Sequence, residues 1–337
     1  APIDLWDVDI RRMQPFQANR SYLQSRVSET LGLLYADHFP YRQFASARGV
    51  RRSPVHNYLA DHGACFGEVA GWERANWFAP SGIDPVYEYS FKKQNWFPYS
   101  ASEHCAVRER VGVFDMSSFG KFLLQGPDAC KVLNRVGANQ VDVAPGKVVY
   151  TQWLNDQGGI ESDLTVTRIS EDQYLVVTAA ASQMRDFYWL RESIRAEERA
   201  YVTDVTAGYG VLSVMGPKSR ELLAQMTPAD LSNEAFEFGT SQEIEMGYGL
   251  VRASRISYVG ELGWELYVPS DFALGIFDLL IQKGEAFDLA PAGLHALNSL
   301  RIEKAYRHWG HDIGPDDDPL QAGMGFAVDW NKSDGFR

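Results

Sequence analysis

Two short stretches of the chain hold residues whose types and spacing permit chemistry: Tyr150 with Asp163, and Tyr258 with Glu265. A carboxylate sheltered from bulk water can accept a proton or paired hydrogen bonds, and a tyrosine beside it adds a flat apolar face with a hydroxyl tip. Around the first pair, residues 148–154 and 160–169 alternate as strands about Asn155-Asp156-Gln157-Gly158-Gly159, a turn composition suited to positive φ. Pairing Leu154 with Gly159 sets Tyr150 opposite Asp163. Thr165 and Thr167 then share the face of Asp163, while Leu164 and Val166 turn towards a core. Around the second pair, residues 256–259 and 264–268 flank Gly260-Glu261-Leu262-Gly263, and symmetric pairing sets Tyr258 opposite Glu265, with Leu266 and Val268 turned away. Spacing alone leaves two readings open: a shared polar site, or ordinary half-exposed strands that carry Tyr and acidic residues.

The elements that must position these residues form a weak internal repeat. Residues 113–127 lead through Gly126-Pro127 into Ala129-Cys130-Lys131-Val132-Leu133, and residues 211–217 lead through Gly216-Pro217 into Ser219-Arg220-Glu221-Leu222-Leu223. Each reads as strand, turn, helix, because proline in the first helical turn removes no hydrogen bond. Further strands and a longer helix follow each unit, which predicts an α+β fold of two related halves. Ahead of them, Tyr22, Leu23, Val27, Leu31 and Leu34 recur at helical spacing and predict a helix over 19–35, stopped before Pro40. The polar, basic stretch 42–54 reads as a connection, so residues 1–50 form a small connector module.

Composition narrows the function. The 337 residues, 45% hydrophobic and 23% charged, suffice for a sizeable core and about two domains. A net charge of −12 opposes broad attraction to nucleic acid or to anionic membranes, so neither is an expected partner. No run approaches the roughly eighteen apolar residues of a membrane helix. The opening Ala1-Pro2-Ile3-Asp4 lacks a basic-then-apolar leader pattern. Cys65, Cys105 and Cys130 contain no C-x-x-C pair, so neither a disulfide framework nor a zinc cluster is expected and a reducing compartment fits. The expected location is a bacterial cytoplasm, with the mitochondrial matrix as the alternative. The amphipathic opening at residues 4–10 and the ending at Ser333-Asp334-Gly335-Phe336-Arg337 read as the edges of a piece of a longer polypeptide.

Several linked stretches resemble one family. Residues 154–166 and Ser257-Tyr258-Val259-Gly260-Glu261-Leu262-Gly263-Trp264-Glu265 resemble the folate-site segments of the glycine-cleavage T-protein family. Within it, Arg52-Ser53-Pro54-Val55-His56, Gly71-Trp72-Glu73-Arg74, residues 114–122, residues 229–236 and residues 299–309 are similar to the sarcosine and dimethylglycine dehydrogenases. The resemblance implies a central connecting module over 1–50, a T-protein-like tetrahydrofolate-binding domain over 51–330, and the start of a further domain at 331–337. It implies that FAD belongs to an amino-terminal flavin domain. No G-x-G-x-x-G follows a strand in this chain.

It also implies roles. In such enzymes the flavin domain, in cis or in trans, oxidises an N-methyl amine to an iminium, and tetrahydrofolate captures the carbon as 5,10-methylene-tetrahydrofolate. Asp163 matches the catalytic carboxylate that accepts the proton released on capture, and an unperturbed Asp is ionised at neutral pH. Glu265 matches the residue that holds the pterin donors, and Tyr150 and Tyr258 match aromatic positions lining the folate. Asn298 stands where the stand-alone T-protein carries an arginine. The acidic tail of folate is thereby left without an assigned partner, Arg301 and Lys304 being nearby on a predicted helix. His308 and His311 lack a third metal ligand at suitable spacing, and Asp316-Asp317-Asp318 reads as a solvated turn, so no metal is assigned. Two other readings stand beside this one: a non-catalytic regulatory subunit resembling that of pyruvate dehydrogenase phosphatase, and a stand-alone aminomethyltransferase.

Overall fold

The computed structural model describes residues 9–332. Most of the amphipathic opening at 4–10, and residues 333–337, lie outside the described residues. Helix α1 (Arg20–Gly32) forms where the apolar spacing predicts it, capped by Asn19, whose side chain accepts from the Ser21 N–H. Its apolar positions Leu23, Val27 and Leu31 are exposed. The chain then passes through α2 (His56–Asp61), a two-stranded sheet of β1 (Ala64–Val69) and β2 (Trp72–Phe78), and α3 (Phe97–Glu109).

Two units with one element order follow. The first runs β3 (Gly112–Asp115), β4 (Gly120–Gln125), α4 (Ala129–Val136), β5 (Val148–Leu154), β6 (Ile160–Ser170), β7 (Gln173–Thr178) and α5 (Gln183–Glu192). The second runs β8 (Tyr201–Asp204), β9 (Tyr209–Met215), α6 (Ser219–Leu223), β10 (Ser241–Met246), β11 (Gly249–Ser254), β12 (Gly263–Pro269) and α7 (Ala273–Gly284). Then β13 (Ala290–Pro291) pairs with β3, and α8 (Leu294–Glu303) follows. The sheets are ordered β5-β6-β7-β4-β8 and β10-β11-β12-β9-β3-β13. The leading strands are therefore exchanged: β3 opens the first unit but pairs with β9, and β8 opens the second but pairs with β4.

The two Gly-Pro turns lie where this exchange brings backbones together. Gly126 (φ 126°) and Gly216 (φ 134°) adopt a conformation that favours glycine. A Cβ at Gly126 would run into the carbonyl of Arg199, just before β8, and one at Gly216 into that of Arg110, just before β3.

Each sheet turns one face to its own helices. Leu164 and Val166 of β6 join α4 and Leu190 of α5 in one core, while Trp264, Leu266 and Val268 of β12 join α6 and α7 in another. Full burial of an aliphatic side chain of this kind contributes about 1.5–3 kcal/mol. A third cluster fills the space between the sheets, with Leu175 and Val177 from β7, Val211 and Met215 from β9, Tyr267 from β12, and Leu297 and Leu300 from α8. Strand side chains alternate, so Asp163 on β6 and Glu265 on β12 both face away from the helix-side cores, towards this middle layer.

Candidate functional site

The first hairpin forms with a shifted register. Asp163 pairs with Gln152, and Tyr150 pairs with Thr165, so the expected Tyr150–Asp163 opposition is corrected. Leu154 pairs with Ile160, and a bulge at Trp153/Leu154 adds one further residue, a total offset of two from the sequence expectation. Because side-chain direction repeats every two residues, Tyr150 and Asp163 still share a face.

Gln152 Nε2 donates to Asp163 Oδ1 at 2.9 Å. The Tyr150 hydroxyl donates to Met324 Sδ at 3.3 Å, and its ring lies 6.1 Å from that of Phe326. Burial pushes the Asp163 carboxyl up to about 6, with Tyr150 and Gln152 pulling it partway back. The sequence expectation of an ordinary carboxylate is corrected accordingly, since removing water disfavours the charged form.

The second hairpin does not form. Residues 255–262 run as a bent connection, and β12 is hydrogen-bonded on both edges, by β11 and β9. No edge is left for 256–259, so Glu265 stands beside Ser254 and Ser213 and not opposite Tyr258. The Tyr258 hydroxyl instead donates to the carbonyl of Arg307, and its ring stacks on Tyr306 at 5.9 Å. Tyr258 nonetheless lies within the electrostatic influence of the first carboxylate. Burial raises its hydroxyl pKa, with Arg301 opposing and the Asp163 charge adding to the rise.

Glu265 accepts from the Tyr267 hydroxyl at 2.6 Å, and among the described residues this is its sole hydrogen bond. Burial raises its pKa against that donor. Asp163 and Glu265 both keep some accessible surface. A carboxylate that is dehydrated yet reachable, with acceptor capacity to spare, is chemically suited to accept from a ligand's N–H donors. The candidate residues thus fall into two groups on the middle layer: Tyr150, Gln152, Asp163 and Tyr258, and Glu265 with Tyr267.

Of the two cations that the sequence left open for an acidic tail, Arg301 is already committed. Arg301 is buried, donates to Asn298 Oδ1 at 2.8 and 2.6 Å, and pairs with Asp312. Lys304 lays its aliphatic stem over Gly260. His308 and His311 pack ring against ring at 4.4 Å, and among the described residues no group of three or more His, Cys, Asp or Glu could hold a metal ion. Asp317 and Asp318 accept backbone N–H groups of their own turn.

Sequence reasoning missed Gln152 and Tyr267. Both carry a signal, each lying two residues from a chosen residue on the same strand face. Met324 and Phe326 carry none, because only the fold returns residues 324–326 to β5.

Two interlocked α+β units with carboxylates on the layer between them form a fold of the glycine-cleavage aminomethyltransferase type. The fold matches the crystal structure of glycine cleavage system aminomethyltransferase T from Bartonella henselae with a TM-score of 0.70 at 25% identity, covering 84% of this chain and 70% of that one. The chain belongs to the family described as GCVT N-terminal domain, matched over residues 55–332, and residues 1–53 match the FAD dependent oxidoreductase central domain. It is 47% identical to 4-methylaminobutanoate oxidase (formaldehyde-forming) of Paenarthrobacter nicotinovorans over 98% of this chain. It is 35% identical to mitochondrial sarcosine dehydrogenase of Mus musculus over 96%. The chain spans 40% of the length of each of these relatives.

Proposed function

We propose that this chain is the folate-binding, one-carbon-transferring portion of a sarcosine or dimethylglycine dehydrogenase-like enzyme, making 5,10-methylene-tetrahydrofolate from the carbon of an oxidised N-methyl amine. Residues 1–50 serve as the connector to a flavin domain in cis or in trans, residues 51–330 hold tetrahydrofolate, and residues 331–337 begin a further domain. The FAD belongs to that flavin domain, and the reaction runs in a bacterial cytoplasm.

Tetrahydrofolate supplies the nucleophilic amine that receives the carbon. Glu265 holds the pterin's paired donors, which a carboxylate with one hydrogen bond already made can still accept. Tyr150 and Tyr258 line the folate with flat apolar surface. Asp163 takes up the proton that the folate nitrogen must lose once it has bonded to the carbon, and its charge stabilises the ammonium before that loss.

The observation that carries this reading is Asp163 itself. Dehydration to a pKa of about 6, with Gln152 fixing one oxygen, leaves it ionised near neutrality and far more basic than an exposed aspartate. The test is a calorimetric titration of tetrahydrofolate into the full chain. Saturable binding at one site is the expected result, and a flat titration with correctly folded protein would defeat the proposal.

A further inference from the structure

Among the described residues Arg74, on β2, is a guanidinium without a hydrogen-bonding partner. Among the described residues it makes no hydrogen bond and no ion pair, and its Nε is buried with nothing to donate to. The acidic influence on it comes from Asp115, which accepts from the Ser53 hydroxyl and the Ser117 N–H and makes no hydrogen bond with Arg74. Burial lowers the Arg74 pKa to about 10, Asp115 opposing, yet the side chain keeps accessible surface. That is the signature of Asp163 and Glu265 with the charge reversed.

Its position ties it to the same layer. The guanidinium lies 5.9 Å from the centre of the Phe119 ring, and Phe119 and Tyr258 pack against the same inter-sheet cluster. Its charge contributes to the lowered pKa of His308, whose neighbour Arg307 receives the Tyr258 hydroxyl. The nearby Arg301 is neutralised by Asp312, whereas among the described residues Arg74 forms no ion pair. Enclosing a lone charge is costly unless something pairs with it, and a planar five-donor fork matches a carboxylate in two-point fashion.

We propose that Arg74 is the carboxylate-binding residue beside this inter-sheet layer, receiving an acidic group of the bound ligand while Glu265 and Asp163 face its nitrogen-bearing parts. The proposal rests on the folate reading above. Two carboxylates qualify, that of the folate glutamate and that of an amino-acid-derived iminium.

The test uses the full chain and its Arg74→Met and Arg74→Lys variants, titrated by calorimetry with tetrahydrofolate, with tetrahydropteroate, which lacks the glutamate, and with sarcosine. Loss of a charge-assisted fork should weaken the ligand that carries the carboxylate about ten- to a hundred-fold. A loss confined to tetrahydrofolate identifies the glutamate, and a loss confined to sarcosine identifies the amine's carboxylate. Arg74→Met should melt no lower than the parent, because it removes an unpaired enclosed charge, and Arg74→Lys should recover part of the affinity. Unchanged affinity for tetrahydrofolate and sarcosine in both variants overturns the proposal and leaves the folate reading standing. A melt that drops sharply in Arg74→Met, while the folded fraction of that variant binds tetrahydrofolate and sarcosine as the parent does, also overturns it, assigning Arg74 to folding. If the parent binds neither folate nor pteroate, the folate reading fails and takes this inference with it.

Discussion

Asp163 and Glu265 sit on the same layer of two sheets with the same strand order, yet they do not come from equivalent strands. The order β5-β6-β7-β4 in one sheet matches β10-β11-β12-β9 in the other, so β6 corresponds to β11 and β7 to β12. Asp163 is on the first kind of strand and Glu265 on the second. Their surroundings differ too. Asp163 has a hairpin partner that brings Gln152 and Tyr150 to it, whereas Glu265 lies between two strands that offer small serines and depends on Tyr267 from its own strand. Two repeats of one architecture thus hold two carboxylates in different surroundings, which suits the separate proton-accepting and ligand-holding roles proposed for them. An apparent symmetry of one tyrosine facing one acid per repeat is absent.

The largest effect should fall on Asp163. In an enzyme that carries this segment with its flavin domain, Asp163→Asn should slow capture about a hundred- to ten-thousand-fold while amine oxidation continues. Released formaldehyde should rise as methylene-tetrahydrofolate falls. An unchanged product ratio would erase the difference between the two carboxylates. Glu265→Gln should act on binding, weakening tetrahydrofolate by about 1.5–3 kcal/mol in a calorimetric titration. Its melting should hardly move, because Trp264, Leu266 and Val268 on the opposite face carry the packing. Equal affinity in mutant and parent would remove Glu265 from the site.

The comparison sharpens with pH. The Asp163 pKa is raised to about 6, so its ionised fraction, and with it the capture rate, should fall towards tenfold per unit below pH 6. A capture profile flat from pH 7 to pH 4.5 would exclude it as the proton acceptor. The same shift has a stability consequence with a definite sign. A carboxyl whose pKa rises on folding stabilises the fold below its unfolded pKa and loses that contribution as pH climbs through the folded value, from about 4 to about 6. Asp163→Asn should therefore melt no lower than the parent at pH 7, and its advantage should vanish at pH 4. The smallest expected effect belongs to Tyr267→Phe, which removes the hydroxyl held at 2.6 Å from Glu265. Folate affinity should drop about two- to tenfold with the capture pH profile unmoved; a shifted profile would mean that the two carboxylates are coupled.

Some of the fold was legible because its signals are local. The helical spacing at 19–35 marks α1 at Arg20–Gly32, and the two Gly-Pro turns mark the strand-to-helix corners of both units. The turn at 155–159 and the alternation after it place Asp163 on the face opposite Leu164 and Val166, and the offset of two leaves that conclusion intact. What misled was the run from 256 to 268, which alternates as a hairpin would. A strand's alternation says which way its side chains point and nothing about which strand lies beside it.

The sequence by itself therefore determined the α+β alternation, the internal repeat, and the sidedness of the carboxylates on their strands, since each depends on neighbours a few residues apart. Tertiary structure decided the exchange of β3 and β8, the β11 and β9 partners of Glu265, the commitment of Arg301 to Asp312, and the burial of the Arg74 Nε with no hydrogen-bond partner among the described residues. Those outcomes turn on competition between distant segments for the same sheet edge or the same charge, and on how much water the packed layer excludes. Neither quantity is carried by any local stretch of residues.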